Sequence, residues 1–236
     1  LYPWSYSECG TPYPVIDYYL VCDEVSEDDS GSSGGGITGG GGSSTSGGAS
    51  ASFAKAMFRN SSMTNDEWKI VENMLDSIMM DCMGKNLYNA LLGKLGGNTL
   101  SIEFTDQNYS SYTFKTGIKI SNKYLSSNHL FHEMWHAYQA YQETVDSYKE
   151  ALLNLEIEAH YAQYLYLKKL PEYANGKWIR TYIKDPRHWR ISEFDLYLEA
   201  NDEFNFYIED SVLKILLQDI IDVFHGIEEY KNYKFD

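Results

Sequence analysis

The chain has 236 residues, a formal net charge of −15 and only three cysteines. That length can bury a sizeable core. The acidity and the absence of any Lys/Arg block exclude a phosphate-binding surface, so no nucleic-acid partner is expected, and no run of about 18 apolar residues offers a membrane span.

Residues 1–29 form a small N-terminal segment, aromatic and Pro-containing, that ends in the acidic cluster Asp23, Glu24, Glu27, Asp28 and Asp29. Cys9 and Cys22 both fall here and are close enough in sequence to pair, whereas Cys82 lies in a helical apolar pattern and reads as a small core residue. Residues 30–52 are Ser, Gly, Ala and Thr with a single Ile37. A stretch with nothing to bury behaves as a flexible tether, spanning about 25–30 Å. A globular domain is expected over 53–236. The first residue is Leu, not Met, which fits removal of a targeting signal and a secreted or cell-surface placement.

The domain opens on a helix. Thr64 and Glu67 have the spacing of a capping box, and Trp68, Val71, Leu75, Ile78 and Met79 follow at helical intervals. Leu87, Leu91 and Leu95 mark a second helix, stopped by Gly96-Gly97. Leu100, Ile102 and Phe104 alternate as in a strand. Phe114, Ile118 and Ile120 suggest another, with Gly117 as a bulge. From there the pattern is helical to the end, so the expected class is α+β: a short mixed sheet, one buried helix and a mostly helical C-terminal part.

The buried helix carries the chemistry. Residues 131–139 read Phe-His-Glu-Met-Trp-His-Ala-Tyr-Gln and contain His-Glu-x-x-His. Two histidines four apart lie on one helix face, one turn above the other, so both imidazoles can reach one ion at about 2.0–2.1 Å. Glu133 sits about 100° around the helix, beside the ion without ligating it, where it can take a proton from water. Ser127 or Asn128 can cap this helix, and Leu130, Phe131, Met134, Trp135 and Tyr138 make it apolar on most sides. Burying two His and a Glu without a partner is costly, and a metal ion removes that cost.

A catalytic zinc site needs a third protein ligand. Gln139 and Gln142 stand where a Gly and a third His would be required, so a downstream Glu is the alternative, from Glu156 or Glu158. Ser147 and Glu150 suggest a capping box for a helix from about 148 to Leu170, before Pro171. At about 100° per residue, Leu152, Leu153, Ala159, Leu167 and Leu170 fall on the side of Glu156, with His160 and Gln163. Asn154, Glu158 and Tyr161 fall opposite. Glu156 is therefore the expected ligand, and Glu158 is expected to face solvent.

With these residues in place, the chain resembles the gluzincin branch of zinc metallopeptidases, whose architecture is thermolysin-like. His132-Glu133-Met134-Trp135-His136 matches the family motif, and Glu156, 20 residues beyond His136 in a Glu-x-x-Ala setting, matches its downstream ligand. The likeness covers about residues 98–170. It implies a zincin-like fold, one zinc ion per chain held by His132, His136 and Glu156, Glu133 as general base, and a peptide or protein substrate extended along the strand near 114–120. His160 departs from the Asp or Asn that many relatives carry four residues after the ligand Glu. Tyr148, His188, Tyr207 and His225 are candidates by type for stabilising an oxyanion. His129 reads as a cap-region histidine and His225 as a helix-terminal one. Three other readings share these residues: a binding module that keeps the fold without catalysis, a zinc hydrolase acting on cell-wall peptides, and a helical domain with an accidental motif.

Overall fold

The computed structural model describes residues 4–6, 12–14, 52–142, 148–149, 151–170, 185–204, 210–233 and 235. The protein is α+β and mostly helical, with seven helices and a small mixed four-stranded sheet among the described residues. A two-stranded antiparallel ribbon, β1 (Trp4–Tyr6) with β2 (Pro12–Pro14), precedes the domain. Cys9, Cys22 and residues 30–51 lie outside the described residues.

The helix α1 (Phe53–Met57) leads into the two-residue strand β3 (Phe58–Arg59). Ser52 caps α1, and Glu72 accepts hydrogen bonds from Ser52 Oγ and from the Phe53 and Ala54 amides, fastening α1 to the next helix. That helix, α2 (Asn65–Met80), starts on the expected Thr64/Glu67 capping box: the Thr64 hydroxyl accepts from the Glu67 amide and the Glu67 carboxylate accepts from the Thr64 amide. Helix α3 (Cys82–Leu95) ends where Gly96 turns into left-handed backbone at φ 57°. Cys82, at its start, is exposed and disulfide-bonded. This corrects its reading as a core thiol: apolar spacing placed it on a helix, but its position in the first turn leaves it outside the packed face.

The sheet runs β3-β4-β6-β5, with β4 (Leu100–Thr105) parallel to β3 and to β6 (Gly117–Ser121), and β5 (Ser111–Thr113) antiparallel to β6. The single strand expected near 114–120 is two elements. Phe114 to Thr116 form the turn, with Lys115 at φ 51°. Gly117 is no bulge; it is a point of close approach, where a Cβ would meet Ser101 Oγ at 1.9 Å and the Ser101 carbonyl oxygen at 2.4 Å. Because β6 is hydrogen-bonded on both sides, the strand next to the motif that stands at the edge of the sheet among the described residues is β5.

Helix α4 (Ser127–Gln142) packs against α2, α3, β5 and β6 and against α5 (Leu152–Lys169). It begins one residue earlier than the expected caps, since the Ser126 carbonyl accepts from the Leu130 amide. Phe131, Met134, Trp135, Ala137 and Ala140 have no exposed surface, which makes α4 the central helix of the core. Helix α5 starts at Leu152 without a side-chain cap; Ser147 and Glu150 lie outside the described residues. Two further helices, α6 (Pro186–Phe204) and α7 (Asp210–His225), pack on each other and on α5. Asp185 and Pro186 start α6, with the Asp185 carboxylate accepting from the Arg187 amide.

Candidate metal centre

The α-helical rise places His132 and His136 one turn apart, and their Nε2 atoms stand 3.1 Å apart. From α5, Glu156 Oε2 lies 3.9 Å from His132 Nε2 and 3.5 Å from His136 Nε2. A tetrahedral ion at about 2.0–2.1 Å from its ligands sets ligand-to-ligand edges of about 3.3–3.4 Å. The three distances straddle that value. Buried His132 and His136 and half-buried Glu156 thus lie close enough to bind a metal ion, and they form the one such group among the described residues. Two imidazole nitrogens and a carboxylate oxygen are a donor set suited to first-row divalent metals.

Glu133 is buried next to this triangle and accepts no hydrogen bond among the described residues. Burial pushes its carboxyl up to about 8, with His136 opposing and Glu156 reinforcing the shift. Burial acts to lower His136, but Glu156, Glu133 and the Gln139 hydrogen bond together outweigh it and hold the ring up at about 9. His132 moves the other way, well below the usual histidine range, through burial and the neighbouring His136. Three buried titratable groups, Glu133, His132 and His136, are thus driven away from their ordinary values in one cluster, a pattern that concentrates at functional sites.

The rear of α4 is organised differently. Glu158 is 5% exposed and accepts hydrogen bonds from Trp135 Nε1 at 3.2 Å and Gln139 Nε2 at 2.9 Å. It does not face solvent. The helical wheel misplaced it because it assumes one dry face, whereas α5 is packed by α4, α6 and α7 and also buries Asn154 and Tyr161 on the side assigned to water. Gln139 Nε2 donates in addition to the Leu155 carbonyl at 3.0 Å, and Gln139 Oε1 lies 2.9 Å from His136 Nδ1.

Beyond His132 is a second set of histidines. The His160 ring stands 4.5 Å from that of His132 and 5.6 Å from that of His188. Arg187 Nη1 donates toward His160 Nε2 at 3.3 Å and to the Tyr230 hydroxyl at 3.2 Å, while its other nitrogens pair with Asp185. His132 Nδ1, His160 Nδ1 and Gln163 Oε1 are buried without a hydrogen-bond partner among the described residues.

Of the residues considered for an oxyanion, Tyr148 packs on Phe114 with ring centroids 5.0 Å apart, and burial followed by the nearby Glu156 and Glu133 pushes its phenol far upward. His188 is buried behind His160. His225 bonds the Tyr233 carbonyl at 3.0 Å, a role local to the end of α7. Tyr207 lies outside the described residues. His129, half-buried, bonds Ser126 Oγ through Nδ1 at 2.7 Å and stacks on Tyr124. Sequence reasoning missed Arg187 and Tyr230. A lone Arg and a Tyr near the C-terminus carry no motif, and only tertiary packing brings them to the site.

No protein-family model, curated protein or solved structure matches the chain.

Proposed function

We propose that this protein is a zinc-dependent peptidase with a zincin-like fold of the gluzincin type, holding one zinc ion per chain on His132, His136 and Glu156. The observation that carries the reading is the meeting of three ligand atoms within 4.8 Å of one another beside the buried Glu133 carboxyl, which accepts no hydrogen bond among the described residues. Zinc held there would supply Lewis acidity toward water and a scissile carbonyl.

The chain's own groups supply the proton handling. Without a cation, burial keeps Glu133 protonated to about pH 8. A dication beside it favours the ionised form, so the base becomes available only when the site is filled. A Glu133 carboxylate oxygen then takes a proton from the attacking water and delivers it to the leaving amine. Tyr148 and Tyr230 are both raised by burial and then by Glu156, and so remain phenols able to donate to charge developing on the carbonyl oxygen. The Tyr230 hydroxyl accepts from Arg187 Nη1, which leaves its own proton to donate. The outer edge of β5, unpaired among the described residues, offers backbone groups to an extended peptide. The disulfide at Cys82 supports an oxidising, secreted or cell-surface setting.

The test is cleavage of an unfolded protein substrate such as casein by the purified chain. The reading predicts cleavage that a chelator abolishes and added zinc restores. Metal binding with no cleavage by the wild-type protein would favour a module that keeps the site without the chemistry, and chelator-insensitive cleavage would overturn the metal mechanism.

A further inference from the structure

Which nitrogen of His136 faces the site is decided by a residue outside the His-Glu-x-x-His motif. The Leu155 carbonyl is only an acceptor, so the Gln139 group 3.0 Å from it must be the NH2 end of the amide. The Glu158 carboxyl takes the second N–H of the same nitrogen at 2.9 Å, and Glu158 is itself fixed by Trp135 Nε1. With both N–H bonds committed, Gln139 presents Oε1 to His136 Nδ1 at 2.9 Å. An amide oxygen only accepts, so Nδ1 carries a hydrogen in either charge state of the ring, and Nε2 is the nitrogen turned toward His132 and Glu156, free to present a lone pair once its own proton is displaced by an ion. His136, Gln139, Leu155, Glu158 and Trp135 are all buried, where water does not compete.

We propose that Gln139, locked by the Leu155 carbonyl and Glu158, is a positioning residue that sets the tautomer and ring orientation of His136 and thereby raises metal affinity. This inference rests on the metal-binding reading of His132, His136 and Glu156. Ligand histidines usually give their second N–H to a carboxylate, a backbone carbonyl or water, and losing that partner typically costs 10–100-fold in affinity. Here the partner is an amide held in one orientation from behind, three residues along the same helix as the ligand it serves.

The experiment has two readings on zinc-loaded protein. Long-range 1H–15N spectra of the wild type should place the His136 proton on Nδ1, slow to exchange with solvent, with Nε2 as the ligating nitrogen. Chelator competition should show Gln139→Met binding zinc about 10–100-fold more weakly than wild type. The exchanged pair, Gln139→Glu with Glu158→Gln, restores an acceptor on His136 Nδ1 and should recover most of that loss. A spectrum with the proton on Nε2 would overturn the proposal, as would Gln139→Met at wild-type affinity. If Gln139→Met fails to fold, the wild-type spectrum and the exchanged pair still decide: fast exchange of the Nδ1 proton, or an exchanged pair that folds but binds no more tightly than a His136→Ala control, counts against it. A wild-type protein that takes up no metal at all defeats the underlying site rather than the role of Gln139.

Discussion

The two sides of the motif helix are built on opposite principles. Behind it, Glu158, Gln139, Trp135 and the Leu155 carbonyl exchange hydrogen bonds so that the Gln139 amide is fully used. In front, His132, His136, Glu156 and Glu133 turn lone pairs and charge toward one another with few hydrogen bonds between them. Two glutamates separated by one residue on α5 serve these two sides. A satisfied buried network fixes structure, while convergent, unsatisfied groups persist only where something else completes them. A buried carboxyl therefore identifies a ligand only when its partners are also known.

The contrast can be broken in several ways. The largest expected effect is in front: Glu133→Gln should lower turnover about 10²–10⁴-fold while leaving metal content and melting temperature at or above wild type, because it replaces a buried acid that accepts no hydrogen bond among the described residues with an uncharged group of the same shape. A loss of zinc in that variant would mean that Glu133 is itself a ligand. Also in front, Tyr230→Phe should reduce kcat about 10–10³-fold with little change in KM; unchanged kcat would remove it from the reaction. Behind the helix, Glu158→Ala should destabilise the fold by about 1–3 kcal/mol, since it leaves the Trp135 and Gln139 donors without their acceptor. Denaturant unfolding would measure that, and wild-type stability would show the rear network to be dispensable.

A smaller effect concerns acid. His129 and His188 are both held down to about 4, chiefly by burial. Both stay neutral in the folded protein while the unfolded chain takes up protons near 6.5, so their contribution is complete above about pH 6.5 and is lost as pH falls toward 4. The metal-free protein should lose on the order of a few kcal/mol across that window, seen as a falling melting temperature; a flat profile would contradict the burial of these rings. The smallest change is expected for His160→Phe. Its Nδ1 has no hydrogen-bond partner among the described residues, so chelator competition should find zinc affinity within about threefold of wild type, against about 10–100-fold for loss of a true ligand-orienting partner.

Local rules made much of this legible in the chain. The Thr64/Glu67 capping box, the stop at Gly96 and the α4 helix follow from side chains and backbone preferences acting within a few residues. The choice of Glu156 followed from helical geometry, because the His-Glu-x-x-His face and the matching face of α5 are both read at about 100° per residue. The same wheel failed at Glu158, Asn154 and Tyr161. It encodes one interface, and α5 has neighbours on several sides. Alternation alone suggests one strand over residues 114–120, because it is blind to a turn made by Lys115 at positive φ. Arg187, Tyr230 and the role of Gln139 were invisible, since each acts through contacts across the fold and Gln139 looked only like the absence of another motif's glycine.

The most direct test of the account is metal content per chain, measured by elemental analysis on the wild type, Glu156→Ala and Glu158→Ala after identical zinc loading and removal of excess. The account predicts one zinc per wild-type chain, none in Glu156→Ala, and retention in folded Glu158→Ala. No metal in the wild type, or loss confined to Glu158→Ala, would contradict it.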